Sequence, residues 1–371
     1  MREIAATWMR GGTSKCWVFR RDDLAVPDLS VDEVLLRLYG SPDARQVDGL
    51  GGGTSTTSKA VILAASQAAG VDVEYTFAQV GIEEAKVDWG SNCGNCSAVV
   101  APFAIREGWV APVDGETVVR VLNTNTGQLI VQKVATPGGV LSEEPTERLP
   151  GVPFLGAPVR MGFVDPAGRS TGRLLPSGRP SDVLSAAVGA VRVSLVDAGA
   201  PVVAVAAADL GVRGDESPAE LDATPGLLGR LDAVRREAGV LMGLAETPEE
   251  VERAVPKLAL VSTPHPADLD EPPADLTVRM LSMGRFHPAV PVTGSVALTL
   301  AGGLPGTVVH ELVDDADAAT GLRLGTPAGC VETFVESHDG VPVVGITRTY
   351  RRLAHGSVVL PDPPLLPSVS A

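Results

Sequence analysis

Two halves of this chain present the same kinds of segment in the same order, and this order constrains the fold more than any single motif does. In each half, apolar strand-like runs around a Gly turn lead to an Asp-Leu pair, then to a lysine before another apolar run, then to a small-residue apolar stretch. These segments lie at residues 4–24, 58–64 and 97–103 in the first half and at 193–210, 256–262 and 293–301 in the second. The shared order predicts two pseudo-equivalent domains, residues 1–180 and 181–371, with the Gly- and Pro-rich segment 166–180 as the linker between them.

Short Val-rich runs broken by Gly and Pro fill most of the chain, and aromatic residues account for only 4% of it. This pattern predicts a strand-rich fold with a core of small side chains. A helix is predicted over residues 31–38, because Ser30 and Glu33 have the spacing of a capping box. The two small-residue stretches are apolar on most faces, which predicts that each is a buried helix wrapped by its own sheet.

The formal net charge of −15 excludes the usual electrostatic basis for binding nucleic acid or an anionic membrane. The first ten residues lack the apolar core of a signal peptide, and apolar runs such as 201–208 are too short to span a bilayer. These features predict a cytoplasmic protein, and the sequence leaves a homodimer open. The four cysteines are too few and too scattered for a disulfide framework.

The segment Asn92-Cys93-Gly94-Asn95-Cys96 directly precedes the first small-residue stretch. A thiol at the start of a helix lies beside unpaired backbone N–H groups and the positive end of the macrodipole. We therefore expect the pKa of Cys93 to be lowered, so that the thiol can serve as an acid or a base. The same N–H groups can hold a carboxylate, which makes Asn92, Gly94 and Asn95 candidate substrate contacts.

The spacing of Cys93 and Cys96 also fits a redox dithiol or half of a zinc site. A zinc site needs two further ligands, and the remaining Cys and His residues show no matching pair. No thioredoxin-like pattern surrounds the dithiol, so Cys96 is most simply a small core residue. The sequence therefore predicts no zinc site.

A polar, Gly-rich loop at residues 48–59 ends in Lys59, just before an apolar strand. Lys59 is either a solvated lysine at a strand start or a partly desolvated lysine with a chemical role. The loop hydroxyls of Ser55, Thr56 and Ser58 are candidate donors to a substrate carboxylate.

Two further segments have the character of anion sites. Residues 10–14 have glycines that permit a backbone nest and an arginine that can pair with a carboxylate; the candidates there are Arg10, Gly11, Gly12, Thr13 and Ser14. The second small-residue helix begins near Thr293, Gly294 and Ser295, whose amides and hydroxyls can also bind a carboxylate. His287, a few residues earlier, is either an orienting donor or a turn histidine bonded to the backbone.

Taken together, the segments 9–15, 48–59, 92–95, 123–127, 196–201 and 283–294 resemble the PrpF-like isomerases, which include 2-methylaconitate cis–trans isomerase and 4-oxalomesaconate tautomerase. The resemblance spans nearly the whole chain in family order. It implies an α+β fold of two diaminopimelate-epimerase-like domains, each a curved sheet or barrel around a central helix, with the active site in the cleft between them. It also places Lys59 and Cys93 at the family's catalytic positions.

The chemistry that the resemblance implies is cofactor-independent movement of an allylic proton on a small unsaturated di- or tricarboxylate. Loss of that proton would give a delocalised dienolate, whose charge the anion sites would offset. Lys59 and Cys93 would exchange the proton with the substrate, and the sequence leaves open which is the acid and which the base. Two other classes also stay open: a dithiol oxidoreductase and a non-catalytic polycarboxylate-binding protein.

Overall fold

The computed structural model of the protein describes residues 2–90, 92–185, 189–264, 273–282, 284–313, 319–338 and 340–362. Met283, which opens one of the segments named above, lies outside these residues. The chain forms two compact units: Met1–Met161 together with Arg348–Ala371, and Gly162–Thr347. In the described part of the chain, the helices are all too short or too polar to cross a membrane.

The strands of the first unit are β1 Arg2–Gly11, β2 Ser14–Arg20, β3 Lys59–Ala65, β4 Val73–Val80, β5 Val87–Asp88, β6 Gly115–Asn123 and β7 Gln128–Thr136. Its helices are α1 Val31–Tyr39, α2 Gly94–Ser97 and α3 Val100–Arg106. The chain leaves this unit within β8, Ala157–Val164, and returns to it within the last strand.

The strands of the second unit are β9 Asp182–Leu184, β10 Val191–Ala198, β11 Ala200–Ala206, β12 Lys257–Ser262, β13 Leu276–Ser282, β14 Arg285–Phe286, β15 Arg323–Thr326 and β16 Gly329–His338. Its helices are α4 Pro218–Ala223, α5 Leu227–Leu241 and α6 Val292–Gly302. The long strand β17, Val341–Leu360, begins in the second unit and ends in the first.

Strand pairing repeats from one unit to the other. In the first unit, β1 and β2 form a hairpin, β2 is parallel to β3, β3 is antiparallel to β4, β4 is parallel to β6, and β6 is antiparallel to β7. In the second unit β10, β11, β12, β13, β15 and β16 follow the same sequence of pairings. The short strands β5 and β14 are each antiparallel to the strand before them. The predicted pseudo-repeat is therefore confirmed at the level of topology.

Each unit encloses an apolar helical segment that follows the equivalent short strand. In the second unit α6 packs against β10 and β11 at one end of the order of pairing and against β16 at the other, so the sheet curves around the helix. All of its residues except Leu300 are buried, as its small and apolar side chains require. In the first unit α2 packs against β1 and β2, and α3 against β4, β6 and β7.

The first helical segment differs from the prediction of one continuous helix after Cys93. The chain forms the one-turn helix α2 and then α3, joined by Ala98 and Val99. The amides of these two residues bond to the carbonyls three residues earlier, at 3.3 and 3.2 Å, instead of four. Pro102 in the first turn of α3 has no N–H, so it cannot continue the bonding pattern of α2.

The bounds of the two units differ from the predicted division at residue 180. The carboxylate of Asp197 in β10 accepts hydrogen bonds from the amides of Ser170 and Thr171 at 2.8 and 2.7 Å, which fixes the predicted linker to the second unit. At the other end, the second half of β17 pairs with β1 along its whole length, from Gly11 and Tyr350 to Arg2 and Leu360. The second half of β17 therefore belongs to the first unit.

The capping box predicted for the first helix is present. The amide of Glu33 donates to Ser30 Oγ at 3.2 Å, and the amide of Ser30 donates to the Glu33 carboxylate at 2.8 Å. Gly40 ends α1 in the left-handed conformation, with φ of 68°. The helix therefore runs over Val31–Tyr39, one residue longer than the sequence predicts.

Candidate active site

Lys59 is the first residue of β3 and is buried, with 9% of its surface exposed. Its Nζ donates to Gln79 Oε1 at 2.6 Å and lies 4.8 Å from the centre of the Phe77 ring. Gln79 is the direct cross-strand partner of Lys59 and is itself held by a 2.7 Å bond from its Nε2 to the carbonyl of Ser58. The structure therefore favours the desolvated interpretation of Lys59 over the solvated one.

Cys93 is the N-cap of α2, with the extended backbone that this position requires. Its Sγ accepts a hydrogen bond from the amide of Cys96 at 3.5 Å, and its carbonyl accepts one from Tyr75 Oη at 3.1 Å. Cys93 is partly exposed, whereas Cys96 is fully buried. The prediction that Cys96 is a small core residue is therefore confirmed, and Cys93 is the thiol that a ligand can reach.

One row of side chains on β4 connects the surroundings of Lys59 with those of Cys93. Gln79, Phe77 and Tyr75 alternate along the strand and therefore share one face of the sheet. Gln79 and Phe77 contact the amine of Lys59, and Tyr75 contacts the carbonyl of Cys93. The positive charge of Lys59 also acts on the Cys93 thiol, where it opposes the stronger effects that raise the pKa of the thiol. The two predicted catalytic groups thus belong to one electrostatic environment.

The balance of effects on Cys93 nevertheless differs from the predicted lowering of its pKa. A hydrogen bond to the Cys96 thiol and burial raise the pKa of Cys93 well above its ordinary value, and these effects outweigh the opposing charge of Lys59. Because α2 has a single turn, its dipole is small. In this environment Cys93 is a protonated thiol at neutral pH, suited to donate a proton.

Asn95 links the N-terminal end of α2 to the β1–β2 hairpin. Its Nδ2 donates to Thr13 Oγ1 at 3.2 Å, and its Oδ1 accepts from Arg348 Nε at 3.2 Å. The hairpin approaches α2 so closely that a Cβ on Gly11 would lie 2.4 Å from the Asn95 carbonyl oxygen, and one on Gly12 would lie 2.1 Å from its Oδ1. These two glycines are therefore required by the close approach of the backbone to Asn95.

Arg10 lies on the other face of the same hairpin, because strand residues alternate and Gly11 faces Asn95. Its Nη1 donates to the carbonyl of Gly12 at 3.0 Å and to the carbonyl and hydroxyl of Thr349 at 2.9 Å each. These contacts fix the hairpin turn to β17. Ser14 is the cross-strand partner of Gly11, so it shares the face of Gly11 and not that of Arg10, and it is buried.

The hydroxyls of the loop before Lys59 have different environments. Ser58 is fully buried; its Oγ donates to the carbonyl of Val80 at 2.9 Å and accepts from Gln46 Nε2 at 2.7 Å. Thr56 lies 3.1 Å from the hydroxyl of Thr54, and Ser55 is exposed. Ser58 therefore positions Lys59, whereas Ser55 and Thr56 remain accessible.

Beside the thiol, Asn92 Oδ1 is buried and has no hydrogen-bond partner among the described residues. Gly94 is the first residue of α2, so its amide belongs to the turn that lacks intrahelical acceptors. These two groups are polar, adjacent to Cys93 and not committed to the fold.

In the second unit, the equivalent helix α6 begins at Val292 after Pro291. Ser295 donates its hydroxyl to the carbonyl of Val292 at 2.7 Å, so that hydroxyl is used within the helix. Thr293 and Gly294 lie in the first turn, where backbone amides lack intrahelical acceptors. His287 Nδ1 accepts from the amide of Ala289 at 3.0 Å, which is the turn arrangement considered from the sequence.

Arg348, Gln79 and Tyr75 are site residues that the sequence did not reveal. Arg348 is 2% exposed, and burial lowers its pKa to about 10. Burial also raises the pKa of Tyr75, whose hydroxyl is therefore a hydrogen-bond donor at neutral pH. None of the three lies in a Gly-rich or Cys-containing motif, and the alternation of β4 was the one available signal for Gln79 and Tyr75.

Over the residues that the structure describes, no group of three or more His, Cys, Asp and Glu side chains could hold a metal ion.

The fold of this chain is similar to the folds of solved isomerase and racemase structures. The crystal structure of a protein from Agrobacterium radiobacter K84, described as a probable proline racemase, superimposes with a TM-score of 0.55 at 13% identity, over 96% of this chain and 93% of that one, which shows the fold alone. A crystal structure of methylitaconate-delta-isomerase superimposes with a TM-score of 0.83 at 37% identity, over 96% and 95% of the two chains. The protein is therefore an isomerase with the α+β, diaminopimelate-epimerase-like fold that the resemblance implies.

The family follows from the sequence matches. The family described as PrpF protein matches residues 1–361. The 4-oxalomesaconate tautomerase of Pseudomonas putida is 40% identical over 360 residues, covering 96% of both sequences. The 3-methylitaconate isomerase of Eubacterium barkeri is 37% identical over 366 residues, also covering 96% of both. The chain belongs to the PrpF family.

Proposed function

We propose that this isomerase moves an allylic proton on a small unsaturated di- or tricarboxylate, without a cofactor and by means of Lys59 and Cys93. The observation that carries the proposal is the arrangement of these two groups at the ends of one row of side chains on β4. The 4-oxalomesaconate tautomerase and the 3-methylitaconate isomerase, both similar over nearly the whole chain, support the substrate class.

The protonation of Cys93 suggests how the two roles are divided. Because the thiol is held protonated, we assign it the delivery of a proton to the far end of the double bond. The role left for Lys59 is removal of the proton from the allylic carbon, next to the carboxylates, which the amine can perform only in its neutral form. The step therefore starts from the neutral Lys59 amine and the Cys93 thiol and ends with the ammonium and the thiolate, and proton exchange with solvent restores the starting forms. The carbon–carbon double bond then shifts by one position, and no electrons leave or enter the substrate.

Binding of the carboxylates is assigned to polar groups near the start of α2 and in the loop before Lys59. In the first unit these are the Asn92 amide side chain, the amides of Gly94 and Asn95, the Thr13 hydroxyl and the accessible hydroxyls of the loop before Lys59. Arg10 and Ser58 act as positioning residues in this proposal, because their described hydrogen bonds go to the hairpin turn, β17 and β4. The corresponding roles of His287, Thr293 and Gly294 in the second unit stay predictions.

A substrate panel tests the proposal. The purified protein is incubated with 3-methylitaconate, with 4-oxalomesaconate and with a mono-amide analogue of each, and double-bond migration is followed by proton NMR. We expect turnover of at least one dicarboxylate or tricarboxylate. We also expect much weaker binding of its mono-amide analogue, because that analogue lacks one of the negative charges with which the backbone N–H groups and hydroxyls of the protein would form hydrogen bonds. Binding of the acids without any isomerisation would favour the non-catalytic alternative and contradict the proposal.

A further inference from the structure

A cavity of about 540 Å³ lies in the first unit, and its lining includes none of the residues to which the reaction is assigned. It is formed by the second half of β17 and by the segment between β7 and β8; its lining residues are Glu143, Pro145, Phe154, Leu155, Gly156, Ala157, Tyr350, Arg351 and Arg352. The volume is within the range of small-molecule sites in proteins. The combination of arginines with exposed apolar side chains defines what it can bind.

Positive charge is concentrated on the sheet face next to this cavity. Arg351 on β17 and Lys15 on β2 are the direct cross-strand partners of Arg10 on β1, so three cationic residues stand side by side. Like charges directly opposite each other destabilise a sheet. Burial lowers the pKa of Arg10 to about 10, and the charge of Arg351 adds to this lowering.

The described residues offer little negative charge to balance these groups. Glu143 is the one acidic residue in the lining, and it is already engaged by Arg106 at 2.7 Å and Arg352 at 3.7 Å. Arg351 has no ion pair within the described ranges. Arg10 Nη2 is buried without a hydrogen-bond partner there, and it lies where a Cβ on Gly156 would approach to 2.3 Å. The overall charge of the chain is −15, so this concentration of cations stands out from the rest of the molecule.

Part of the cavity lining is apolar and exposed. Phe154 and Leu155 are 67% and 47% exposed, respectively. The Arg351 guanidinium lies 5.7 Å from the centre of the Phe154 ring, a cation–π arrangement that keeps the charge at the edge of the apolar wall. A ligand that bears both a carboxylate and a hydrocarbon or aromatic group would satisfy both parts of the lining.

From this geometry we propose that the cavity is a second ligand site, separate from Lys59 and Cys93, that takes a small organic carboxylate with an apolar substituent. The carboxylate would pair with Arg351, and the apolar part would pack on Phe154 and Leu155. This site goes beyond the isomerase reaction, and its occupation can be measured without any turnover.

Binding of 3-phenylpropanoate, measured by titration calorimetry, tests the site against its neutral isostere 3-phenylpropanamide. We expect the carboxylate to bind at least about tenfold more tightly than the amide, since charge-assisted hydrogen bonds to arginine are roughly twice as strong as neutral ones. Arg351→Gln should remove that difference, and Phe154→Ala should weaken both ligands. Arg173→Gln, a matched change at an exposed arginine of the other unit, should leave both affinities unchanged.

Three results would overturn the proposal. The first is equal binding of the carboxylate and the amide to the wild-type protein. The second is a fall in kcat/KM for the isomerase substrate in Arg351→Gln that matches its loss of 3-phenylpropanoate binding, which would make the cavity part of the catalytic site. The third is a change of molar mass in light scattering caused by Phe154→Ala, which would mean that a second copy of the chain covers the apolar wall. Unchanged mass and unchanged kcat/KM, together with the expected affinities, support a separate site.

Discussion

Replacement of Gln79 by leucine tests how much the hydrogen bond that positions Lys59 contributes to the rate of isomerisation. The 2.6 Å bond from Lys59 Nζ to Gln79 Oε1 is charge-assisted and lies at a residue with 9% exposure, so solvent screening is weak there. Leucine has a similar volume but no acceptor, and therefore the amine loses its fixed direction while the packing beside Phe77 is largely kept. The Lys59 side chain itself is untouched.

The size of the effect follows from the strength of such a bond. A hydrogen bond to a charged group contributes about 1.5–3 kcal/mol, and each 1.4 kcal/mol corresponds to about a factor of ten in rate. If the bond holds Lys59 in its reactive orientation, Gln79→Leu should lower kcat/KM about 10- to 150-fold. The Ser58 carbonyl also loses a donor, which should lower the free energy of unfolding by about 1 kcal/mol.

The assay compares initial isomerisation rates of the wild type, Gln79→Leu and Gln67→Leu. Gln67 is exposed in the loop between β3 and β4, so its replacement controls for the chemical change alone and should leave the rate unchanged. Thermal unfolding of all three proteins shows whether each is folded at the assay temperature. A kcat/KM of Gln79→Leu within threefold of the wild type, in a folded protein, would refute the positioning argument.

Four further predictions concern the thiols, the hairpin and metals. Cys96→Ala should keep isomerase activity within about tenfold, because Cys96 is a buried neighbour of the reactive thiol, whereas a dithiol oxidoreductase would lose all activity. The pKa values of Cys93 and Cys96 are raised in the folded state, so the unfolded chain loses these protons first as the pH rises. The free energy of unfolding should therefore fall above about pH 8.5, and it should fall less steeply in Cys96→Ala. Gly11→Ala should lower both the unfolding temperature and activity, because its Cβ would lie 2.4 Å from the Asn95 carbonyl oxygen; normal values of both would contradict the described packing. Activity should survive EDTA, and its loss with recovery on adding a divalent metal would contradict a cofactor-independent reaction.

Much of the fold was predictable because its signals are local or repeated. The capping box of α1 depends on two residues three apart, and the order of segments in the two halves is visible without any tertiary information. The break between α2 and α3 was missed because a run of apolar, helix-compatible residues hides the effect of Pro102. The bounds of the units depend on pairing between β1 and β17, which are separated by most of the chain.

Some residues of the candidate site could be predicted from local sequence, and others could not. Lys59 and Cys93 stand in conspicuous motifs, so their residue types and local context single them out. Gln79, Tyr75 and Arg348 reach the site through pairing and packing that no local pattern encodes. The pKa of Cys93 was predicted in the wrong direction, because the helix-start argument omitted the Cys96 thiol and the burial of the site.

The most direct test of the central claim is the rate of proton movement in Lys59→Ala and Cys93→Ala, measured with 3-methylitaconate in D₂O by NMR. A side chain that transfers a proton contributes roughly 10²–10⁴-fold to the rate, so each variant should lose isomerisation and deuterium incorporation by about that factor. The isomerisation rate of Cys93→Ser should be far below that of the wild type and at least as high as that of Cys93→Ala, since a hydroxyl keeps the shape of the thiol but is a far poorer acid. Folded Lys59→Ala and Cys93→Ala proteins that both turn over at nearly the wild-type rate would contradict the assignment.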